Sequence, residues 1–144
     1  MTGTGEKIVL RGRCVVGGSA EGRAFVTREE ISGWGGIDAN TATVTEIGHE
    51  KRGESFACRV LVFPGAKGSS GWSHYFHITR RKNVAPAAML FTVTTTKVAL
   101  GAVVTRVPAL TDFDRDPFEV IHDGDWVRVD ADAGVVEITP APPG

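Results

Sequence analysis

Four consecutive apolar residues, Val60-Leu61-Val62-Phe63, run directly into Pro64-Gly65 and then into Ala66-Lys67-Gly68-Ser69-Ser70-Gly71. The first four read as a buried strand, and Pro-Gly ends it. The segment from Trp72 to Lys82 contains neither Gly nor Pro, and its spacing predicts a helix. Trp72, Phe76 and Thr79 would share one face of it, and Arg80-Arg81-Lys82 suits its negative end. A strand that feeds a small-residue loop at a helix N-terminus gathers free N–H groups and the positive end of a dipole at one spot. A carboxylate, a phosphate or a developing oxyanion is stabilised there.

The rest of the chain is strand-rich. Strands are predicted over Lys7–Cys14, Arg23–Thr27, Thr43–Thr45, Phe56–Phe63, Ala87–Val93 and Asp125–Asp130, with Val135–Thr139 pairing back as a hairpin across the Asp132-Ala133-Gly134 turn. A second helix is expected over Thr96–Val104. Ser32–Ile37 is too rich in glycine for a helix. The predicted architecture is a β-rich α/β domain with a barrel-like or two-sheet core and helices on one flank. Residues 1–10 are expected to form a lead-in and the start of the first strand, 11–139 the domain, and 140–144 a flexible Pro-rich tail.

Composition excludes several classes. With 16 basic and 17 acidic residues among 144, bulk positive charge cannot drive nucleic-acid binding. No apolar run reaches the roughly 18 residues of a membrane span, and the N-terminus lacks a secretory apolar stretch, so the expected location is the cytoplasm. The two cysteines, Cys14 and Cys58, form no C-x-x-C and cannot by themselves ligate an iron–sulfur cluster or a structural zinc. They are expected as small buried hydrophobes, unpaired in a reducing compartment.

Candidate chemistry centres on Ser69 and Ser70. A serine hydroxyl needs a neighbouring base or a site that stabilises its alkoxide, and the loop-to-helix junction supplies the second. The alternative is a helix N-cap. Neither G-x-S-x-G nor a phosphate-binding G-x-x-x-x-G-K-[ST] is present. Lys67 can neutralise a substrate carboxylate or phosphate, or lie in solvent. His74 and His77, at i and i+3, can contribute to a metal site, but no third ligand is evident; a surface role is the alternative. Glu21 and Asp38, each beside glycine, can orient a substrate or a partner chain, or serve as turn residues. Trp34, Trp72 and Trp126 suit the core, with an interface role open for Trp34 and Trp72 because both adjoin glycine-rich loops.

Several blocks, in order, carry a resemblance: Ala20-Glu21-Gly22, Gly35-Gly36-Ile37-Asp38, Phe63-Pro64-Gly65, Lys67-Gly68-Ser69-Ser70, Ala85-Pro86-Ala87-Ala88 and Ala99-Leu100-Gly101-Ala102. Together, over roughly Arg11 to Ile138, the chain resembles the small-subunit, swivel domain of the aconitase X family. The resemblance implies a swivelling β/β/α domain that docks on a larger catalytic subunit, the pair being a hydro-lyase that dehydrates a small hydroxy acid. It implies that the large subunit supplies an iron or iron–sulfur centre, that this chain binds no cofactor, and that a serine of the G-S-S loop exchanges the substrate proton. Carried over, that serine is Ser69, with Ser70, Lys67 and Gly68 as substrate-binding neighbours. Family activities include dehydration of cis-3-hydroxy-L-proline, expected here for that or a related acid, and of mevalonate 5-phosphate as the alternative. The sequence departs from the family in its bulky Trp72–His77 segment and in Thr94-Thr95-Thr96, where acidic residues are expected. A different class, a non-catalytic domain that binds a small molecule or a protein, stands as the competing expectation.

Overall fold

A computed structural model describes residues 7–68 and 71–141. In chain order the elements are β1 (Ile8–Arg11), β2 (Arg13–Val16), β3 (Ser19–Val26), β4 (Ile31–Ser32), β5 (Ile37–Asp38), β6 (Thr43–Val44), β7 (Val60–Phe63), β8 (Ala66–Lys67), α1 (Trp72–Arg81), β9 (Ala88–Phe91), α2 (Thr96–Thr105), β10 (Ala109–Thr111), α3 (Pro117–Val120), β11 (Trp126–Asp130) and β12 (Val135–Thr139). Eight of the strands form one sheet in the order β1-β12-β11-β3-β7-β9-β10-β2. Neighbours from β3 to β10 are parallel, and the remaining pairs are antiparallel.

The parallel strands are buried on both faces, as continuous apolar runs require. Their side chains divide with period two. Val60, Val62, Ala88 and Leu90 enter one cluster, whereas Leu61, Phe63, Met89 and Phe91 enter the other. The first cluster also takes Leu10, Val127, Val129, Val136 and Ile138 from the antiparallel strands. Strands from both ends of the order share one core, so the sheet curls around it. The barrel-like expectation is corrected in one respect. Among the described residues no ladder joins the edge strands β1 and β2, and the sheet stays open. Its two edges are instead consecutive in the chain, separated only by Gly12. There the backbone lies so close to its neighbours that a Cβ would fall 2.8 Å from Thr111 O and 2.9 Å from the Phe113 ring.

The second cluster lies between the parallel strands and a layer made of α1, α2 and the segment that carries β4, β5 and β6. The two helices fall where the spacing placed them. Trp72, Phe76 and Thr79 are the buried face of α1. The Trp72 ring stacks on Phe76 at 4.0 Å and on Phe63 at 6.2 Å, and its Nε1 donates to Ile31 O at 2.8 Å. Two of the bulky residues of this helix, Trp72 and Phe76, are therefore core. α2 begins at an N-cap, Thr95, whose Oγ1 accepts from Val98 N, and ends at Arg106 in the left-handed conformation.

Three sequence expectations need correction. The strand predicted from Phe56 starts at Val60 instead: Arg59 N bonds Phe56 O, Cys58 N bonds Ala85 O, and Cys58 has φ +59°, so the chain turns before it extends. Phe56 is apolar because it is buried against Phe76, at 5.5 Å. Second, the strand predicted over Lys7–Cys14 is two strands, bent at Gly12. Third, Cys14 and Cys58 are exposed rather than buried, one on an edge strand and one in that turn. The short helix α3, with Pro117 in its first turn and Asp116 as cap, is an element that the sequence reading does not contain.

Gly101 tests the packing of the helix layer. A Cβ there would overlap the Trp72 ring. Helix propensity favours Ala over Gly by about 1 kcal/mol, whereas overpacking costs about 1–3 kcal/mol. With Trp72 held between Phe63 and Phe76, packing is expected to win: Gly101→Ala should lower the urea midpoint, and a raised midpoint would mean that the indole lies elsewhere.

Candidate functional site

All four parallel strands deliver their carboxyl ends to one edge, the place where open α/β sheets characteristically bind ligands. From β3 the chain passes through Thr27–Glu30 into β4, and from β7 through Pro64–Gly65 into β8. β4 and β8 then pair in parallel, Ile31 with Ala66 and Ser32 with Lys67. From β9 the chain reaches α2 through Thr92–Thr95. Both helices therefore present their N-termini at this edge, and neither has an acidic residue in its first turn. That arrangement favours an anion on electrostatic grounds.

Of the residues singled out from sequence, Ser69 and Ser70 lie outside the described residues. The N-cap of α1 is Gly71, which makes no side-chain cap bond. Gly68 has φ +96°, a conformation side chains rarely adopt, and a Cβ there would sit 3.2 Å from Ser32 Oγ. Lys67 is not a solvated loop lysine: its Nζ donates to Glu46 Oε2 at 2.7 Å. That hydrogen bond, with the negative charges of Glu46, Glu30 and Glu29, holds the ammonium above its ordinary value of 10.5. The second oxygen of Glu46, Oε1, is buried without a hydrogen-bond partner.

The remaining sequence candidates disperse. Glu21 accepts from Trp126 Nε1 at 2.9 Å and lines a depression with Cys58, Pro86 and Pro108, at the amino ends of the parallel strands. Asp38 Oδ1 accepts from Asn40 N at 3.0 Å, ordinary turn chemistry. His74 and His77 are both exposed and border a cleft with Val103 and Arg106. Among the described residues no three of His, Cys, Asp and Glu converge as a metal site. Trp72 is core, whereas Trp34 is 73% exposed.

Two residues at this edge escaped the sequence reading. Glu46 sits in a loop whose one visible signal is charge. Lys97, in the first turn of α2, donates from Nζ to Gly68 O at 2.7 Å. Its signal was legible: it is the only charged residue of an otherwise uncharged helix, at the end where the dipole opposes a cation. Val93 N bonds Pro64 O, Thr45 N bonds Gly36 O, and Lys67 reaches Glu46. Three exposed apolar side chains lie on the stretches so joined: Val93, Ile47 beside Glu46, and Trp34 two residues before Gly36.

The segment after β3 is fixed by Glu50, whose Oε2 accepts from Thr27 Oγ1 at 2.6 Å and from Arg28 N at 2.9 Å. The Thr27 hydrogen bond, ahead of other causes, lowers the Glu50 pKa below 4.5. A depressed carboxylate stabilises the fold above its unfolded value and loses that contribution as pH falls through the folded one. Lys67 has the opposite sign: its contribution is complete below 10.5 and fades only as pH rises through the raised value. With both partners partly exposed, the Lys67–Glu46 pair is worth under about 1 kcal/mol. Glu46→Gln should bring the Lys67 titration, followed by NMR at its side-chain carbons, down towards 10.5 while barely moving the unfolding midpoint. An unmoved titration would show that the pair does not form in solution.

Comparison with known proteins agrees with this geometry over nearly the whole chain. The sequence model of the Aconitase X swivel domain matches residues 9–138. A phosphomevalonate dehydratase small subunit from Methanocella arvoryzae is 39% identical over 130 residues, covering 90% of this chain and 98% of the relative. The protein of the same name from Archaeoglobus fulgidus is 44% identical over 126 residues, covering 88% and 95%. The crystal structure of Thermococcus kodakaraensis aconitase X, in its holo-form, superposes with a TM-score of 0.85 at 40% identity, covering 91% of this chain and 98% of that one. A match this long, in both sequence and fold, places the chain in the aconitase X swivel-domain family.

Proposed function

We propose that this chain is the small subunit of a two-component dehydratase acting on a phosphorylated hydroxy acid of the mevalonate 5-phosphate class, with Ser69 as the proton-transfer group. The observation that carries the reading is the end-to-end match to relatives named phosphomevalonate dehydratase small subunits. Those names reverse the order of substrates expected from sequence, where cis-3-hydroxy-L-proline came first. The non-catalytic alternative loses ground for the same reason, and because the sequence Lys67-Gly68-Ser69-Ser70 is intact.

The chemistry divides naturally. Dehydration removes a proton beside a carboxylate and expels hydroxide. The positive ends of the α1 and α2 dipoles lie at this edge, and in this reading they stabilise the transient alkoxide of a proton-transferring serine. The same N–H groups suit a substrate that carries a carboxylate and a phosphate. In this reading Ser70, Lys67 and Gly68 complete the substrate-facing segment, and a substrate anion competes with Glu46 for Lys67. Expulsion of hydroxide needs a Lewis acid or a strong general acid. The described residues do not converge as a metal site, so the reading assigns that half, with its iron or iron–sulfur centre, to a larger partner chain.

Co-expression with an aconitase X-type large chain, followed by assay of both substrates, tests this. The pair should dehydrate mevalonate 5-phosphate, and the small chain alone should be silent and free of iron. Ser69→Ala should retain association and lose at least about 10²-fold in kcat, the scale of a lost proton-transfer group, with Ser70→Ala milder. Near-normal turnover by Ser69→Ala would remove the serine from the chemistry. Turnover of cis-3-hydroxy-L-proline alone would reject the substrate class.

A further inference from the structure

Lys97 has no role in the reading above, and its position lacks an explanation from helix stability. α2 is Thr-Lys-Val-Ala-Leu-Gly-Ala-Val-Val-Thr, and Lys97 is its one charge. A cation in the first turn opposes the dipole, and no acidic side chain of that turn compensates it. What Lys97 does contact is the segment beside Ser69: its Nζ donates to Gly68 O at 2.7 Å. Gly68 is the residue with φ +96°, where a Cβ would sit 3.2 Å from Ser32 Oγ, so the position suits glycine. The preceding residue is held as well: Lys67 meets Glu46 at 2.7 Å. Two successive residues are thus tied to two different elements, residue 67 to the loop after β6 and residue 68 to the start of α2.

The base of α2 is itself fixed. Thr111, buried at the end of β10, donates from Oγ1 to Phe91 O at 2.7 Å. Its single proton spent, it accepts from Thr94 Oγ1 at 2.9 Å. Thr94 precedes the N-cap Thr95. The lysine therefore reaches the loop from a rigid base.

We infer that Lys97 is a positioning residue for the reactive serine, an inference that rests on the assignment of Ser69 as the proton-transfer group. A charge-assisted bond to the carbonyl of residue 68 orients the peptide that leads into residue 69. In the free chain the contact is formed, and water screens it in part. Once a partner covers this edge and excludes water, the same contact strengthens, so the serine is set where and when it is needed. A misplacement of about 1 Å at such a group costs about 10²-fold in rate.

The test uses Lys97→Met, which keeps the aliphatic stem, and Lys97→Arg, which keeps a donor. In the assembled pair, Lys97→Met is expected to lower kcat by about 10²-fold, with KM changed by no more than about twofold. Lys97→Arg should recover most of that loss. In the free chain, the backbone order parameter of Gly68 should fall in Lys97→Met from the rigid range near about 0.85 and recover in Lys97→Arg. A kcat that survives Lys97→Met while Ser69→Ala is inactive would overturn the role of Lys97 and leave the serine standing. A loss of kcat that Arg does not rescue, or an unchanged Gly68 order parameter, would overturn the tether. If Ser69→Ala and Lys97→Met both turn over normally, the reading of the loop and the inference fall together.

Discussion

The indole of Trp72 is the contact on which the functional edge depends. One ring touches the sheet through Phe63, its own helix through Phe76, and the segment after β3 through the bond from Nε1 to Ile31 O. It also occupies the space that Gly101 leaves open in α2. A buried Trp is stable only when its N–H finds an acceptor, and here that acceptor is the residue that begins β4. β7, β4, α1 and α2 meet at this one side chain. Its large apolar area anchors the first turn of α1 through burial.

Much of the fold was legible because period and punctuation coincided. Val60–Phe63 followed by Pro-Gly, Trp72–Lys82 without a breaker, and the Asp132-Ala133-Gly134 turn each had a local cause that tertiary structure left unaltered. The errors came where a residue was apolar for a non-local reason. Phe56 looked like the start of a strand because it is buried, yet it is buried from a turn, against Phe76. Cys14 and Cys58 were read through their average behaviour, and neither follows it. The bend at Gly12 was invisible because its cause, the close approach of Thr111 and Phe113, lies about a hundred residues away in sequence.

The candidate site was legible in its centre and not in its surroundings. Lys67, Gly68 and the two serines stand out as a small-residue run between a strand and a helix. Their partners come from elsewhere in the chain: Glu46 from the loop after β6, Lys97 from α2, and Val93 from the stretch after β9. Charge spacing along a sequence carries no record of which loop a parallel crossover will bring alongside. Lys97 is the exception, since a lone cation at the wrong end of an apolar helix is a local anomaly. Trp34 was flagged by its glycine-rich context, and it is the glycines that leave it projecting.

The division of one opening segment between the two edges of the sheet has a consequence for biosynthesis. Residues 8–11 pair with 135–138, and residues 13–16 with 109–111. During vectorial synthesis the parallel centre can assemble from β3, β7 and β9 as each emerges, but β2 must wait for β10 and β1 for β12. Until then the nascent chain carries unsatisfied strand edges, the condition under which unintended pairing with other chains is fastest. Gly12 then acts as a seam whose two sides close at different times, the β2 side first and the β1 side only once β12 has emerged.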